Sequence, residues 1–241
     1  MLTVSGLTIS FPGPPGDSLE PVRDFSLTLH RGETLGLAGP SGCGKTVFCT
    51  ALIGLLERPG YIKNGIIRYL PDTATTEEQI LDLTALREKE WRRIRGKEIS
   101  MIFQNPAQSL NHARTIGSQF IEAIRAHRSD ADKRTCIAMA EAMLENAILV
   151  EPKKIMASYP FELSGGMCQR VMIAMALVHK PALLIADEPT TALDTKNQDR
   201  ILQLLVRIRE TCHTAILFVS HDEKVVAEIA GRRITMPLPQ T

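Results

Sequence analysis

The sequence predicts an α/β protein that combines a parallel-sheet core, a small antiparallel β subdomain and an inserted α-helical subdomain. Short, continuous apolar runs at residues 34–38 and 183–186 are typical of buried parallel strands. Residues 2–10 and 22–29 instead alternate apolar and polar side chains, which indicates a sheet with one solvated face. Between these strand-rich halves, residues 116–149 carry apolar side chains at helical spacing.

The composition is that of a globular chain. Of its 241 residues, 44% are apolar and 23% are charged, which is enough for one sizeable core. A formal net charge of +1 gives no bulk electrostatic reason to expect nucleic acid as a partner. Five scattered cysteines without C-x-x-C spacing suggest neither disulfides nor a zinc site, and a reducing cytosol fits them best. No apolar run reaches the roughly 18 residues that span a bilayer, so work at a membrane would require other subunits.

The strongest motif follows the first apolar run. Residues 39–46 match G-x-x-x-x-G-K-[ST], in which backbone NH groups and the start of the next helix surround phosphates. Lys45 would reach the β- and γ-phosphates, and the Thr46 hydroxyl would hold Mg²⁺. A glycine-rich turn that matches by chance is the alternative. The predicted nucleotide contacts here are Gly39, Pro40, Ser41, Gly42, Cys43, Gly44, Lys45, Thr46 and Val47.

Helices are predicted after this loop and in the middle of the chain. The first covers residues 47–56 and ends at the Pro59-Gly60 pair. Two apolar stripes predict the inserted helices, and they consist of Ile116, Phe120 and Ile124, then Ile137, Ala140, Leu144, Ala147 and Ile148. A basic cluster is interpreted as a solvated helix face, with a phosphate or partner contact as the alternative, and it consists of Arg92, Arg93, Arg95 and Lys97.

A second candidate anion site opens the long apolar helix near residue 165. The hydroxyl of Ser164 and the amides of Gly165 and Gly166 would lie at the positive end of the helix dipole. An ordinary serine N-cap followed by flexible glycines is the alternative.

Two carboxylates end the apolar run at residues 183–186. Ligands of open α/β sheets bind at the carboxyl ends of the strands, so Asp187 is expected to hold Mg²⁺. Glu188 would orient and deprotonate a water that attacks the γ-phosphate. The alternative is an acid pair at a helix N-cap. By the same geometry, a strand at residues 215–219 would direct His221 toward the γ-phosphate, although a single histidine is more often structural.

Together these residues resemble the ATP-binding subunit of an ABC transporter over nearly the whole chain. The phosphate loop, a Q-loop at Gln104, the signature at 163–170, the strand ending in Asp187 with the adjoining Glu188, a D-loop at 191–194 and His221 stand in the family's order. The resemblance implies a P-loop NTPase core. Residues 1–104 and 160–241 would form that α/β core with its β subdomain, and residues 105–159 the helical subdomain.

The resemblance also implies roles for residues outside the phosphate loop. Gln104 would sense the γ-phosphate and contact Mg²⁺, and Asp194 would lie at the nucleotide. Phe11 would stack on adenine, although a phenylalanine in a strand is also ordinary core. ATP would be enclosed head to tail by two such domains, with Ser164, Gly165 and Gly166 of one closing on the phosphates held by the other.

Segments at 105–111, 159–167 and 186–194 look like those of the ATPases of peptide and nickel importers. That likeness implies uptake of peptides, nickel or metal chelates and a heterodimer with a homologous ATPase chain. Two transmembrane permease subunits would bind the pair at the cytoplasmic face of the cell membrane, and an extracytoplasmic binding protein would deliver the cargo. The alternative is a soluble ABC ATPase of DNA repair, chromosome structure or translation.

Three features depart from that subfamily. His112 stands where proline is common, and Cys43 replaces a serine, so alkylation of Cys43 is expected to block nucleotide binding. The chain also ends soon after His221, where relatives usually continue through a hairpin and a C-terminal extension, so the contacts of that extension are not assigned to this chain.

Overall fold

The computed structural model describes residues 1–14, 18–71, 76, 79–105, 109–191 and 193–239. Parts of the proline- and glycine-rich segment at 12–16, where the chain is expected to turn, of the importer-like segment at 105–111 and of the D-loop at 191–194 lie outside these described residues. In chain order the described elements are β1 (Leu2–Pro12), β2 (Ser18–Leu29), β3 (Thr34–Ala38), α1 (Lys45–Leu52), β4 (Tyr61–Tyr69), β5 (Leu81–Asp82), α2 (Glu88–Ile94), β6 (Ile99–Ile102), α3 (Ile116–Arg125), α4 (Lys133–Asn146), α5 (Pro152–Ala157), α6 (Gly165–Leu177), β7 (Leu183–Asp187), α7 (Thr195–Cys212), β8 (Ala215–Ser220), α8 (Glu223–Ile229) and β9 (Arg232–Thr235).

These strands form two sheets, which confirms the predicted fold class. The antiparallel sheet has the order β2-β1-β4-β5. The second sheet is parallel throughout and has the order β6-β7-β8-β3-β9. Its strands β3, β7 and β8 are buried along their whole length, as their continuous apolar runs predict.

The register of the parallel sheet places the predicted site at one edge. Ala38 pairs with Ser220, and Asp187 pairs with Val219, so β3, β7 and β8 end side by side. The phosphate loop, Glu188 and His221 leave the sheet from these three ends. One sheet edge therefore collects three motifs that are distant in the sequence.

Two apolar cores support this edge. The first lies around α1, where the rings of Phe48 and Phe25 make an edge-to-face contact at 5.1 Å between centroids. The second joins α3, α4, α6 and α7 to the other face of the parallel sheet through side chains such as Phe120 and Phe218. Helices α3, α4 and α5 fall within residues 105–159, the predicted helical subdomain. None of the helices in the described ranges combines the length and the apolarity that a bilayer crossing requires.

Three local predictions are wrong. The first helix ends at Leu52, well before Pro59, because Gly54 has a left-handed φ of 63° and packs too closely on Trp91 to admit a side chain. Ile148 lies outside α4 with a φ of 58° and is 42% exposed. Arg95 is no solvated side chain, since its guanidinium donates to the carbonyl oxygens of Ile53 at 2.7 Å and Gly54 at 2.8 Å.

Candidate active site

The loop between β3 and α1 forms the phosphate cradle that the motif predicts. A side chain at Gly44 would come within 2.3 Å of the carbonyl oxygen of Pro21, and its φ of 95° is left-handed, so only glycine fits. Lys45 is 5% exposed, and its ammonium group donates to the carbonyl oxygens of Gly39 at 2.8 Å and Pro40 at 3.0 Å. The loop thus holds a buried positive charge at its centre.

Cys43 faces the protein interior rather than the cavity. Its side chain is fully buried in the core around α1, and its sulfur lies 3.9 Å from Lys45 Nζ. A reagent therefore cannot reach the thiol unless the loop opens. The sequence-based expectation that alkylation of Cys43 blocks nucleotide binding therefore applies only where the loop has opened.

A cavity of about 400 Å³ joins most of the predicted motifs. It contains residues of the phosphate loop together with Gln104, Glu188 and His221. Its lining consists of Pro21, Ser41, Gly42, Gly44, Lys45, Thr46, Val47, Gln104, Glu188, Thr191 and His221. Pro21 received no site role from the sequence, and Thr191 is named there only as the first residue of the D-loop. For Thr191 the signal was its position three residues after Glu188, on one turn of backbone.

Three side chains that line this cavity contact the carboxylate of Glu188. Its Oε2 atom accepts hydrogen bonds from the Thr191 hydroxyl at 2.8 Å and the Gln104 amide at 3.1 Å, and it lies 3.1 Å from Nδ1 of His221. Its backbone has a left-handed φ of 47° and donates to the carbonyl oxygen of Val219 at 2.9 Å. Neither Asp187 nor Glu188 caps a helix, so the alternative of an N-cap acid pair is wrong.

Asp187 carries a buried carboxylate without a hydrogen-bond donor among the described residues. It is 1% exposed, and burial, together with the charge of Glu188, raises its pKa to about 6. The Thr46 hydroxyl and the Lys45 charge oppose this rise in pKa, although neither carboxylate oxygen of Asp187 has a hydrogen-bond partner among the described residues. Anionic oxygens of this kind beside a threonine hydroxyl fit a divalent cation such as Mg²⁺.

The second anion site lies apart from the cavity. Ser164 caps α6 by accepting from the Met167 NH at 3.3 Å, as the N-cap alternative predicts, while Ser164 and Gly165 remain exposed. Among the described residues, no atom lies within 4 Å of a side chain built at Gly165. These residues do not line the cavity that contains Lys45.

Two further predicted contacts also lie outside the cavity. Asp194 caps α7, where it accepts from the NH of Asn197 at 3.0 Å and from its side-chain amide at 2.6 Å. These bonds to Asn197 lower the pKa of Asp194. The ring of Phe11 packs closely on Gly60. Nucleotide contact at Asp194 and adenine stacking at Phe11 stay predictions.

The arrangement is that of a nucleotide-binding domain, and comparisons with known proteins agree. The pattern of the ABC transporter family matches residues 22–191, so the chain belongs to that family. It is 44% identical over 239 residues to the glutathione import ATP-binding protein GsiA of Salmonella paratyphi A and 41% identical over 236 residues to that of Escherichia coli K12. Each match covers 98% of this chain but 37% of the relative, so the chain spans little more than a third of their length.

Solved structures agree on the fold. The dimeric structure of the ATP-binding cassette MJ0796 in a post-hydrolysis state, bound to ADP and Pi, has a TM-score of 0.83 and 27% sequence identity. The similarity covers 100% of this chain and 97% of that one. The predicted fold, that of an ABC-type ATP-binding domain, is confirmed.

Proposed function

We propose that this chain binds MgATP in the cavity at Lys45 and hydrolyses it as the ATP-binding subunit of an importer. The observation that carries the proposal is the carboxylate of Glu188, which lies in one cavity with the phosphate loop and has its Oε2 atom held by three side chains. The Oε1 atom has no hydrogen bond among the described residues, so it is the oxygen available to a water molecule.

The chemistry divides among the residues of the cavity. Lys45 and the NH groups of its loop would bind the β- and γ-phosphates. Glu188 would accept a proton from the attacking water at Oε1, while Gln104 and His221 hold Oε2. Asp187 and Thr46 would hold Mg²⁺, which when bound neutralises charge that develops on the phosphates. Gln104, the third predicted metal contact, is bonded to Glu188 here.

A second cassette would complete the site. Ser164, Gly165 and Gly166 lie outside the cavity of their own chain, Ser164 and Gly165 are exposed, and the structurally similar MJ0796 is described as dimeric. A partner's helix start at this position would add NH donors to the γ-phosphate. Closure on ATP and opening after hydrolysis would then be coupled to the membrane subunits. We propose a homologous, non-identical chain as the partner, as the importer likeness implies.

The cargo and location follow from the same likeness. Glutathione is a tripeptide, so the relatives' name supports uptake of small peptides over nickel or metal chelates. The chain would bind two permease subunits from the cytoplasmic side, largely through the predicted helical subdomain at residues 105–159, and an extracytoplasmic binding protein would supply the cargo. The relatives reported above are import proteins, which gives no support to the alternative of a soluble ABC ATPase.

Two measurements on the same preparation test the proposal. The tagged chain, extracted in mild detergent, is expected to co-purify with integral membrane subunits, and the complex is expected to hydrolyse MgATP. Salt-sensitive binding to DNA or ribosomes without membrane subunits would support the soluble alternative instead. A complex that binds ATP but never releases phosphate would contradict the ATPase role.

A further inference from the structure

We propose that Thr191 is a positioning residue for Glu188. Its hydroxyl fixes one carboxylate oxygen and so leaves the other to take the proton from the attacking water. The inference rests on the proposed ATPase function and assigns an individual role to Thr191, which the sequence identifies only as the first residue of the D-loop.

The contact between the two residues is the shortest at this carboxylate. Thr191 Oγ1 donates to Glu188 Oε2 at 2.8 Å, whereas the contacts from Gln104 and His221 are 3.1 Å long. Both Thr191 and Glu188 line the cavity with the phosphate loop. The threonine therefore contacts the reacting carboxylate directly and not through another residue.

The Thr191 bond also differs from the others in where it originates. Thr191 and Glu188 belong to one turn, in which the Thr191 NH donates to the Glu188 carbonyl oxygen at 3.2 Å. Gln104 follows β6 and His221 follows β8, so their distances to Glu188 depend on how separate segments pack. The hydroxyl bond is thus fixed by the backbone turn that carries Glu188 itself.

This hydrogen bond determines which oxygen of the Glu188 carboxylate is available to water. A carboxylate oxygen offers about two lone-pair sites, so an Oε2 atom with three contacts has no capacity left for a water proton. Proton transfer must then use Oε1, which has no hydrogen bond among the described residues. Without the Thr191 hydroxyl the carboxylate could turn about its last bond, so that neither oxygen keeps a fixed position toward the water. Misplacement of a catalytic group by about 1 Å can cost roughly 10²-fold in rate.

Two substitutions separate this role from a structural one. Thr191→Val removes the hydroxyl but keeps the branched shape, and Thr191→Ser keeps the hydroxyl. We expect Thr191→Val to lower kcat for MgATP by about tenfold, the strength of a hydrogen bond to a charged group, without changing the Kd of ATP or the unfolding midpoint. Thr191→Ser is expected to retain most of kcat. Thr190→Val is the matched control, because this neighbouring buried threonine makes no bond to Glu188 and its loss should leave kcat unchanged.

Each outcome decides the proposal. Unchanged kcat in Thr191→Val overturns it, and so does a loss that appears as weaker ATP binding in both Thr191→Val and Thr191→Ser. If the valine variant does not fold, Thr191→Ala is subject to the same expectations. Absence of MgATP turnover in the unsubstituted complex would overturn the proposed function itself, which distinguishes the two failures.

Discussion

Gln169 binds the loop that follows β7, since its side-chain amide donates to the carbonyl oxygen of Pro189 at 2.8 Å. Gln169 is only 3% exposed and lies on α6, the helix that begins after Ser164. The bond therefore joins α6, the helix that starts at the second candidate anion site, to the loop that carries Glu188. In a pair of such domains, the Glu188 region and the start of α6 in one chain would face two different ATP molecules. The Gln169 bond would connect these two regions.

Replacement of Gln169 by leucine is expected to destabilise the chain. The substitution keeps the size of the side chain but leaves the buried Pro189 carbonyl without this donor, which costs about 1–3 kcal/mol. Equilibrium unfolding in urea measures the loss. The control is Gln203→Leu on α7, because that glutamine is exposed and its replacement should stay within about 0.5 kcal/mol. Equal unfolding free energies for the two variants would contradict the role of the Gln169 bond.

Glu188→Gln is expected to slow hydrolysis while leaving ATP binding intact. Glutamine keeps the shape of the side chain but cannot accept a proton at Oε1, and loss of a general base costs roughly 10² to 10⁴ in rate. Phosphate release under single-turnover conditions measures the effect. Glu228→Gln on α8 makes the same chemical change at an exposed position and should retain the full rate. An undiminished rate in Glu188→Gln would remove this residue from the base role.

The sequence predicted the members of the cavity better than their contacts. A phosphate motif after an apolar run and a carboxylate pair after another are local patterns, and parallel pairing brings their ends together at one sheet edge. The contact of Thr191 with Glu188 depends on side-chain rotamers within a turn, which no periodicity encodes. The full burial of Cys43 likewise follows from the path of the loop and not from its residue types.

In the fold, too, local sequence patterns predict elements, whereas features that depend on distant contacts are missed. Strands Leu183–Asp187 and Ala215–Ser220 form where they are predicted, because residues 183–186 and 215–219 are continuous apolar runs. The antiparallel strand Tyr61–Tyr69 escaped prediction because four of its first five residues are exposed, with little alternation to reveal it. The end of α1 was misplaced because Gly54 is required by contact with Trp91, a residue 37 positions further along the chain.

Lys45→Ala is expected to weaken ATP binding by at least about tenfold. The substitution deletes a buried ammonium group centred on the phosphate loop, and a charge-assisted bond to phosphate is among the stronger polar contacts. Isothermal titration calorimetry measures the affinity. Lys89→Ala, an exposed lysine on α2, removes the same charge from the chain at a remote position and should bind ATP normally. Equal affinity for both variants would contradict a phosphate contact by Lys45.

Thiol labelling of the folded chain is expected to modify Cys212 alone. Cys212 is exposed at the end of α7, whereas the other four cysteines are buried: Cys43, Cys49, Cys136 and Cys168. Mass spectrometry after brief treatment with a maleimide should therefore show one adduct, and the same treatment in urea should show five. Rapid labelling of Cys43 in the folded chain would contradict the buried orientation of the phosphate loop's thiol.

Asp187→Asn is expected to stabilise the metal-free chain at neutral pH. The pKa of Asp187 in the folded chain, about 6, lies above its ordinary value of 3.8. Between these pH values the folded chain keeps a proton that the unfolded chain has released, so stability falls as the pH rises from about 4 to about 6 and stays lower above that range. A difference of about two pKa units corresponds to about 3 kcal/mol, which asparagine would recover because it carries no charge.

Urea unfolding in EDTA at several pH values tests this expectation. At pH 7 the Asp187→Asn variant should exceed the parent chain in unfolding free energy by up to about 3 kcal/mol. Near pH 4 the difference should shrink to roughly 0.5 kcal/mol, because Asp187 is then protonated in the folded chain and about half protonated in the unfolded chain. Asp199→Asn on α7 removes an exposed carboxylate and should show no such pH-dependent gain. A gain for Asp187→Asn that is as large at pH 4 as at pH 7 would show that relieved burial of charge is not its cause.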